Sequence, residues 1–225
     1  MNYEIIPQNR SNLALSVKKD YTISVKCPLD ADEKSISSYI KNNSLSVFHK
    51  IEIMRKKDIE SSDTALTVNF GEKITFLNKE RTVKPEDNIR KCIIRDNEIS
   101  INSQNEPCVN YTVLHNEFIL NAKLILSRRL KYMSEILDIK GAKAKVISLY
   151  KDFYFVCDSV ICFSWHLVFA SPTDIDYIIT KALCEFDNRH SDLFKNSVIA
   201  RHFNKEESEN RINKLITEID YKKWI

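Results

Sequence analysis

The chain has 225 residues, a net charge of +3 and 43% hydrophobic residues, a composition typical of a soluble globular protein with one large or two small domains. No apolar run reaches the roughly 18 residues that cross a bilayer, and the N-terminal Met-Asn-Tyr-Glu does not resemble a signal peptide. Only two glycines occur, Gly71 and Gly141, which excludes a glycine-rich phosphate-binding loop. We therefore expect a cytoplasmic protein that does not bind membranes.

Strands around one helix are predicted for the first hundred residues. Alternating apolar residues at 13–17 and 21–25 predict a hairpin, and Asp30 with Glu33 predicts a capping box that starts a helix extending to about Met54. Further strands are predicted at 74–77 and 92–102. We expect a strand-rich region over residues 1–105 and a second region over 106–225, because strands give way to helices there.

A long apolar helix is predicted between Asn116 and Ile139, with Gly141 as its C-terminal stop. Two strands follow at 153–157 and 160–165, and their short connection predicts a hairpin. The six cysteines include no CxxC pair, which indicates reduced thiols in an intracellular protein.

The helix that follows this hairpin has the strongest start signal in the sequence. Ser171 is a favourable N-cap, Pro172 suits the first helical position, and Asp174 lies three residues after the cap. Apolar residues then recur at helical spacing from Ile175 to Phe186. The pattern predicts one continuous apolar face, packed on the hairpin and the long helix.

Residues 161–172 read Ile-Cys-Phe-Ser-Trp-His-Leu-Val-Phe-Ala-Ser-Pro, and His190-Ser191 follows the helix. This stretch resembles the YgjP-like family of zinc metallopeptidases, which is related to the WLM family. In that family a Pro-started helix carries H-E-L-x-H, and a later His-Ser supplies the third zinc ligand. The resemblance is specific over 146–195 and weaker over the rest of the chain. It implies an α+β fold whose C-terminal part is a zincin-like unit of the minimal gluzincin type.

The resemblance also shows where this chain departs from the metal-binding pattern. Lys181 takes the place of the first zinc ligand, Ala182 that of the general base, and Glu185 that of the second ligand. His190 alone matches a family ligand, and its spacing from Glu185 is one residue shorter than usual. A lysine ammonium repels a divalent cation, and a catalytic zinc ordinarily takes three protein ligands. We therefore expect no catalytic residues and no cofactor, with Glu185 and His190 as weak metal candidates.

A physical substitute for the metal is an ion pair between Lys181 and Glu185, which lie four residues apart on one helix face. The hairpin also differs from the family, since Phe155 and Val156 stand where the family has small residues. We expect these bulky side chains to narrow the cleft at the strand edge.

Other chemistries are also open. Cys157, Cys184 and His190 suggest a cysteine nucleophile, although buried cysteines are commonly core residues. Aromatic residues near Lys145 and Lys151 suggest a nucleic-acid-binding module, although strand alternation explains most of them. The interpretation that we favour is a degenerate, catalytically inactive metallopeptidase-like protein that binds another protein. A zinc metallopeptidase with a non-standard metal site is the alternative, and nucleic-acid binding is the third.

Overall fold

A computed structural model describes residues 3–60, 66–149, 152–157, 160–187, 192–219 and 224. The chain divides into two compact units, Met1–Asp63 and Thr64–Trp224. The first unit contains β1 (Tyr3–Pro7), β2 (Ala14–Val17), β3 (Ile23–Cys27) and α1 (Glu33–Glu60). The sheet has the order β1-β3-β2, and the hairpin predicted from the sequence is the antiparallel pair β2–β3. Its buried core comprises Val25, Cys27, Ile36 and Ile40.

Helix α1 begins and ends later than the sequence predicts. Asp32, and not Asp30, caps it, because the Asp32 carboxylate accepts a hydrogen bond from the Ser35 amide at 2.7 Å. The predicted capping box of Asp30 and Glu33 is therefore wrong, because the cap lies two residues later. The helix also continues past Met54 to Glu60.

The second unit opens with a four-stranded sheet of β4 (Lys73–Phe76), β5 (Lys79–Glu86), β6 (Ile93–Ile94) and β7 (Glu98–Asn102), in the order β4-β5-β7-β6. The predicted strands at 74–77 and 92–102 are confirmed. The sequence analysis did not predict β5. One of its inward positions is Arg81, which is only 6% exposed. Its guanidinium donates hydrogen bonds to the carbonyl oxygens of Phe76, Lys79 and Arg95, so a charged residue occupies a core position.

Helix α2 (Pro107–Ile136) crosses the core of the second unit. It begins nine residues before the predicted Asn116, with Pro107 at the first helical position. The helix ends at Ile136, and Asp138 (φ 49°) takes the left-handed conformation after it. Gly141 (φ 86°) lies further on, in the connection to the next strand, so the prediction that Gly141 stops this helix is wrong.

A second sheet and three helices complete this unit. They are β8 (Lys143–Ile147), β9 (Tyr154–Cys157), β10 (Val160–Ser164), a 3-10 turn (Trp165–Phe169), α3 (Pro172–Phe186), α4 (Asp192–His202) and α5 (Lys205–Glu218). The sheet order is β8-β10-β9, with β9 antiparallel to β10 as predicted. Helix α3 packs against α2, β9 and β10.

The architecture is α+β, as the sequence predicts. The division between the units falls after α1, whereas the boundary expected near residue 105 lies between β7 and α2. Apolar residues of the sheet β4-β5-β7-β6, such as Ile99 and Ile101, join the core that surrounds α2. Residues 66–105 therefore belong to the second unit. None of the described helices combines the length and the apolar run that a membrane span requires.

Trp224 lies in the aromatic core of the second unit. Its ring is 7% exposed and contacts those of Tyr111, Phe118 and Phe169 at centroid distances of 5.5–5.9 Å. Its carbonyl oxygen accepts a hydrogen bond from Nε2 of buried His166 at 2.6 Å. Since that oxygen cannot donate, Nε2 carries the proton, and Nδ1 accepts from the Ser164 hydroxyl at 2.8 Å. His166 thus serves packing in the aromatic core.

Replacement of Trp224 by alanine tests this docking. We expect Trp224→Ala to lower the free energy of unfolding by about 3–5 kcal/mol, because a large buried ring is removed. Urea denaturation followed by circular dichroism measures the loss. Tyr132→Ala truncates an aromatic side chain that is 51% exposed, so it should change stability by only about 0.5 kcal/mol. Equal losses in the two variants would contradict the docking of Trp224.

Candidate functional site

The start of α3 matches the sequence signal closely. The Ser171 hydroxyl accepts a hydrogen bond from the Asp174 amide at 3.1 Å and donates one to the Asp174 carboxylate at 2.6 Å. Pro172 occupies the first helical position. This reciprocal contact fixes where α3 begins, and so fixes which residues lie on each of its faces.

The two faces of α3 have different partners. The apolar face is buried against α2 and the β9–β10 hairpin, as predicted, and consists of Ile175, Ile178, Ile179, Ala182 and Leu183. Asp174, Tyr177 and Lys181 recur at spacings of three and four residues, which places them on one stripe of the helix. All three contact polar side chains of α5.

Lys181, which the family resemblance assigns to the position of the first zinc ligand, has a carboxylate of α5 as its partner. The Lys181 Nζ is 3.2 Å from Oε1 of Glu209, and the Tyr177 hydroxyl donates to the same oxygen at 2.9 Å. The hydrogen bond from Tyr177, and then Lys181, lowers the pKa of Glu209 below its ordinary value. The ion pair expected between Lys181 and Glu185 is therefore replaced by one that links two helices.

A second contact fastens α5 to the first turn of α3. Both Nε and Nη2 of Arg211 lie within 2.9 Å of Oδ1 of Asp174, whose side chain is 7% exposed. Such paired contacts between a guanidinium and a carboxylate are among the stronger polar interactions in proteins. Arg211 and Glu209 are functional-site neighbours that the sequence analysis missed, because they lie some thirty residues beyond their partners in the chain.

The other two family positions differ in their surroundings. Ala182 is fully buried in the apolar face and has no group that accepts a proton. Glu185 is exposed, and its carboxylate interacts with the Tyr154 hydroxyl on β9. Burial, followed by the charge of Glu185, raises the pKa of Tyr154, so this phenol stays protonated at neutral pH. Glu185 therefore interacts with β9 through Tyr154.

His190 and Ser191 lie outside the described residues. The structure consequently leaves the pairing of Glu185 with His190, and the triad of Cys157, Cys184 and His190, as predictions. Burial raises the pKa of the Cys184 thiol, which opposes formation of a thiolate. Within the residues that the structure describes, no group of three or more His, Cys, Asp or Glu side chains is arranged to hold a metal ion.

Within the residues that the structure describes, the hairpin beside α3 ends in an outer strand. In the order β8-β10-β9, β9 is an edge strand, and Phe155 and Val156 on it are half-buried. Bulky side chains thus lie on the strand that neighbours α3. The narrowing of the cleft by Phe155 and Val156 stays a prediction.

Comparison with known proteins adds one match. A model of the YgjP-like metallopeptidase domain matches residues 11–214. The chain belongs to the YgjP-like family. No curated protein and no solved structure matches it. The YgjP-like match covers both compact units, whereas the motif resemblance was specific only over 146–195.

The described residues that the resemblance assigns to the metal positions do not fit a catalytic zinc ion. The donor set contains an ammonium group where a ligand is needed, and that group is held by a carboxylate of α5. A zinc ion at this place would have to displace or deprotonate Lys181, at the cost of its pair with Glu209.

A double-mutant cycle measures how much the α3–α5 contact contributes. Glu209→Leu leaves the Tyr177 hydroxyl without its acceptor, and we expect it to destabilise the protein by about 1–3 kcal/mol. In a Tyr177→Phe background the same change should cost less, because no hydroxyl remains to be satisfied. Urea denaturation of the four proteins gives the coupling energy. The same cost in both backgrounds would contradict the hydrogen bond.

Proposed function

We propose that this YgjP-like protein is catalytically inactive as a metallopeptidase and acts by binding another protein. The observation that carries the proposal is the ion pair between Lys181 and Glu209. It places a positive charge, already neutralised by a carboxylate, at a position where zinc hydrolysis requires a neutral donor.

The loss of the base position strengthens the argument. A zinc-bound water needs a neighbouring carboxylate to take its proton, and Ala182 provides none at the family position. Glu209 is unsuited as a replacement, because two donors on one oxygen stabilise its charged form and lower its pKa. A lower pKa makes a carboxylate a weaker base.

The binding role is inferred from what the chain retains. The cap, the apolar face of α3 and the α+β core are intact, so the scaffold is preserved although its chemistry is altered. A folded scaffold without a reaction acts through its surface, and a net charge of only +3 favours a protein partner over nucleic acid.

Metal analysis tests the catalytic part. We expect purified protein that has been incubated with zinc and dialysed to contain far less than one zinc ion per chain, and to show no hydrolysis of unfolded protein substrates. A variant that combines Lys181→His, Ala182→Glu and Glu185→His should retain more zinc, because two imidazoles then replace the ammonium and the carboxylate. Stoichiometric zinc in the wild type, with hydrolysis that a chelator abolishes, would overturn the proposal.

Affinity capture from native lysate tests the binding part. The expected result is a protein that is retained in near-equal amounts after nuclease treatment and in the presence of a zinc chelator. An unrelated protein with the same tag controls for non-specific retention. Loss of retention after nuclease treatment would favour the nucleic-acid-binding alternative. Loss of retention with the chelator would favour the alternative with a non-standard metal site.

A further inference from the structure

A pocket separate from the Lys181–Glu209 contact lies between the C-terminal ends of α2 and α3 and one face of α4. Its volume is about 190 Å³. An engineered apolar cavity of about 150 Å³ accommodates benzene, so this pocket is large enough for one aliphatic side chain.

Apolar side chains form about half of the pocket lining, and we call this half its floor. Leu137 and Ile139 come from the segment after α2, and Val198 comes from α4. Ile139 is buried, whereas Ile136 at the rim is 46% exposed. The apolar half of the lining favours a ligand that ends in an apolar side chain.

Cationic side chains line the α4 side of the same pocket. Lys195, Val198, Arg201 and His202 recur at spacings of three and four residues, so they share one face of α4. Within the described part of the chain, Lys195 and Arg201 have no carboxylate partner closer than 4 Å. Asp187 is the one acidic side chain of the described lining, and it is buried.

Lys195 and Cys184 line the same pocket, which brings the start of α4 next to the end of α3. Burial raises the pKa of the Cys184 thiol, and the charge of Lys195 lowers it. Arg201 lies near the opposite end of α4. Arg201 and His202 also complement the helix dipole in the last turn of α4, but Lys195 near the start of the helix has no such role.

We propose that this pocket binds the C-terminal end of a partner protein whose last residue is aliphatic. The aliphatic side chain enters the apolar floor, and the terminal carboxylate pairs with Lys195 and Arg201. Charge complementarity selects this occupant, since a chain terminus is a carboxylate adjacent to an apolar side chain, which matches the two halves of the pocket. The inference deepens the proposed function, because it specifies the chemistry of the protein partner.

Titration with a defined peptide tests the assignment. The probe is an N-acetylated tetrapeptide that ends in isoleucine with a free carboxylate, and binding is followed by isothermal calorimetry and by NMR of the full-length protein. The matched probe is the same peptide with a C-terminal amide. We expect the free-acid peptide to bind about tenfold more tightly than the amide, because a charge-assisted contact is lost.

Variants assign the binding to this pocket. Arg201→Gln should weaken binding of the free-acid peptide about tenfold and leave that of the amide unchanged. The control is Arg128→Gln, at an exposed arginine of α2 outside the pocket lining, which should leave both affinities unchanged. Val198→Phe fills the floor and should abolish binding, with circular dichroism used to verify folding.

Three results would overturn the assignment: equal binding of the acid and the amide, equal loss in Arg201→Gln and Arg128→Gln, or tighter binding of octanoate than of the peptide. The last result would identify a small carboxylic acid as the ligand. Because the titration uses purified components and no zinc, its failure leaves the zinc and activity measurements on the proposed function unaffected.

Discussion

Burial of one face of α3 is the constraint on which the site depends. Ile175, Ile179 and Leu183 are almost completely removed from water, and each such side chain contributes about 1.5–3 kcal/mol when fully buried. Rotation of the helix by one residue would expose part of this face, so its orientation is fixed. The opposite stripe must then face α5, and its side chains interact with whatever α5 presents.

The charges on that stripe follow from this geometry. Asp174 requires a cation because its side chain is nearly buried, and Arg211 supplies one. Lys181 and Glu209 are each about 40% exposed, so their attraction alone contributes little. The buried Tyr177 hydroxyl makes the arrangement more specific, since it requires an acceptor at the place where Glu209 lies. These contacts therefore determine where α5 lies against α3.

Local signals in the sequence predicted local structure. The Ser171 cap, the β2–β3 and β9–β10 hairpins and the apolar face of α3 each depend on residues within a few positions of one another, and each is found in the structure. Strand β5 was missed because Arg81 occupies an inward position, where alternation of apolar residues gives no signal.

The candidate site was predictable only in part. The family resemblance assigns Lys181, Ala182 and Glu185 to the metal-site positions, and that assignment stays a prediction. The partner of Lys181 could not be predicted from the sequence. Glu209 lies 28 residues further along the chain, and its contact with Lys181 depends on how α5 packs. Helix spacing instead predicted an ion pair between Lys181 and Glu185, because residues four positions apart lie on the same helix face.

The coupling between α3 and α5 also has an evolutionary consequence. A histidine at position 181 would leave Glu209 without its cation, beside a buried tyrosine that still donates to it. A metal centre on α3 would therefore require compensating changes on α5, and intermediate sequences would lose stability before they gained a ligand. The contacts between α3 and α5 thus make a metal centre less accessible to single substitutions.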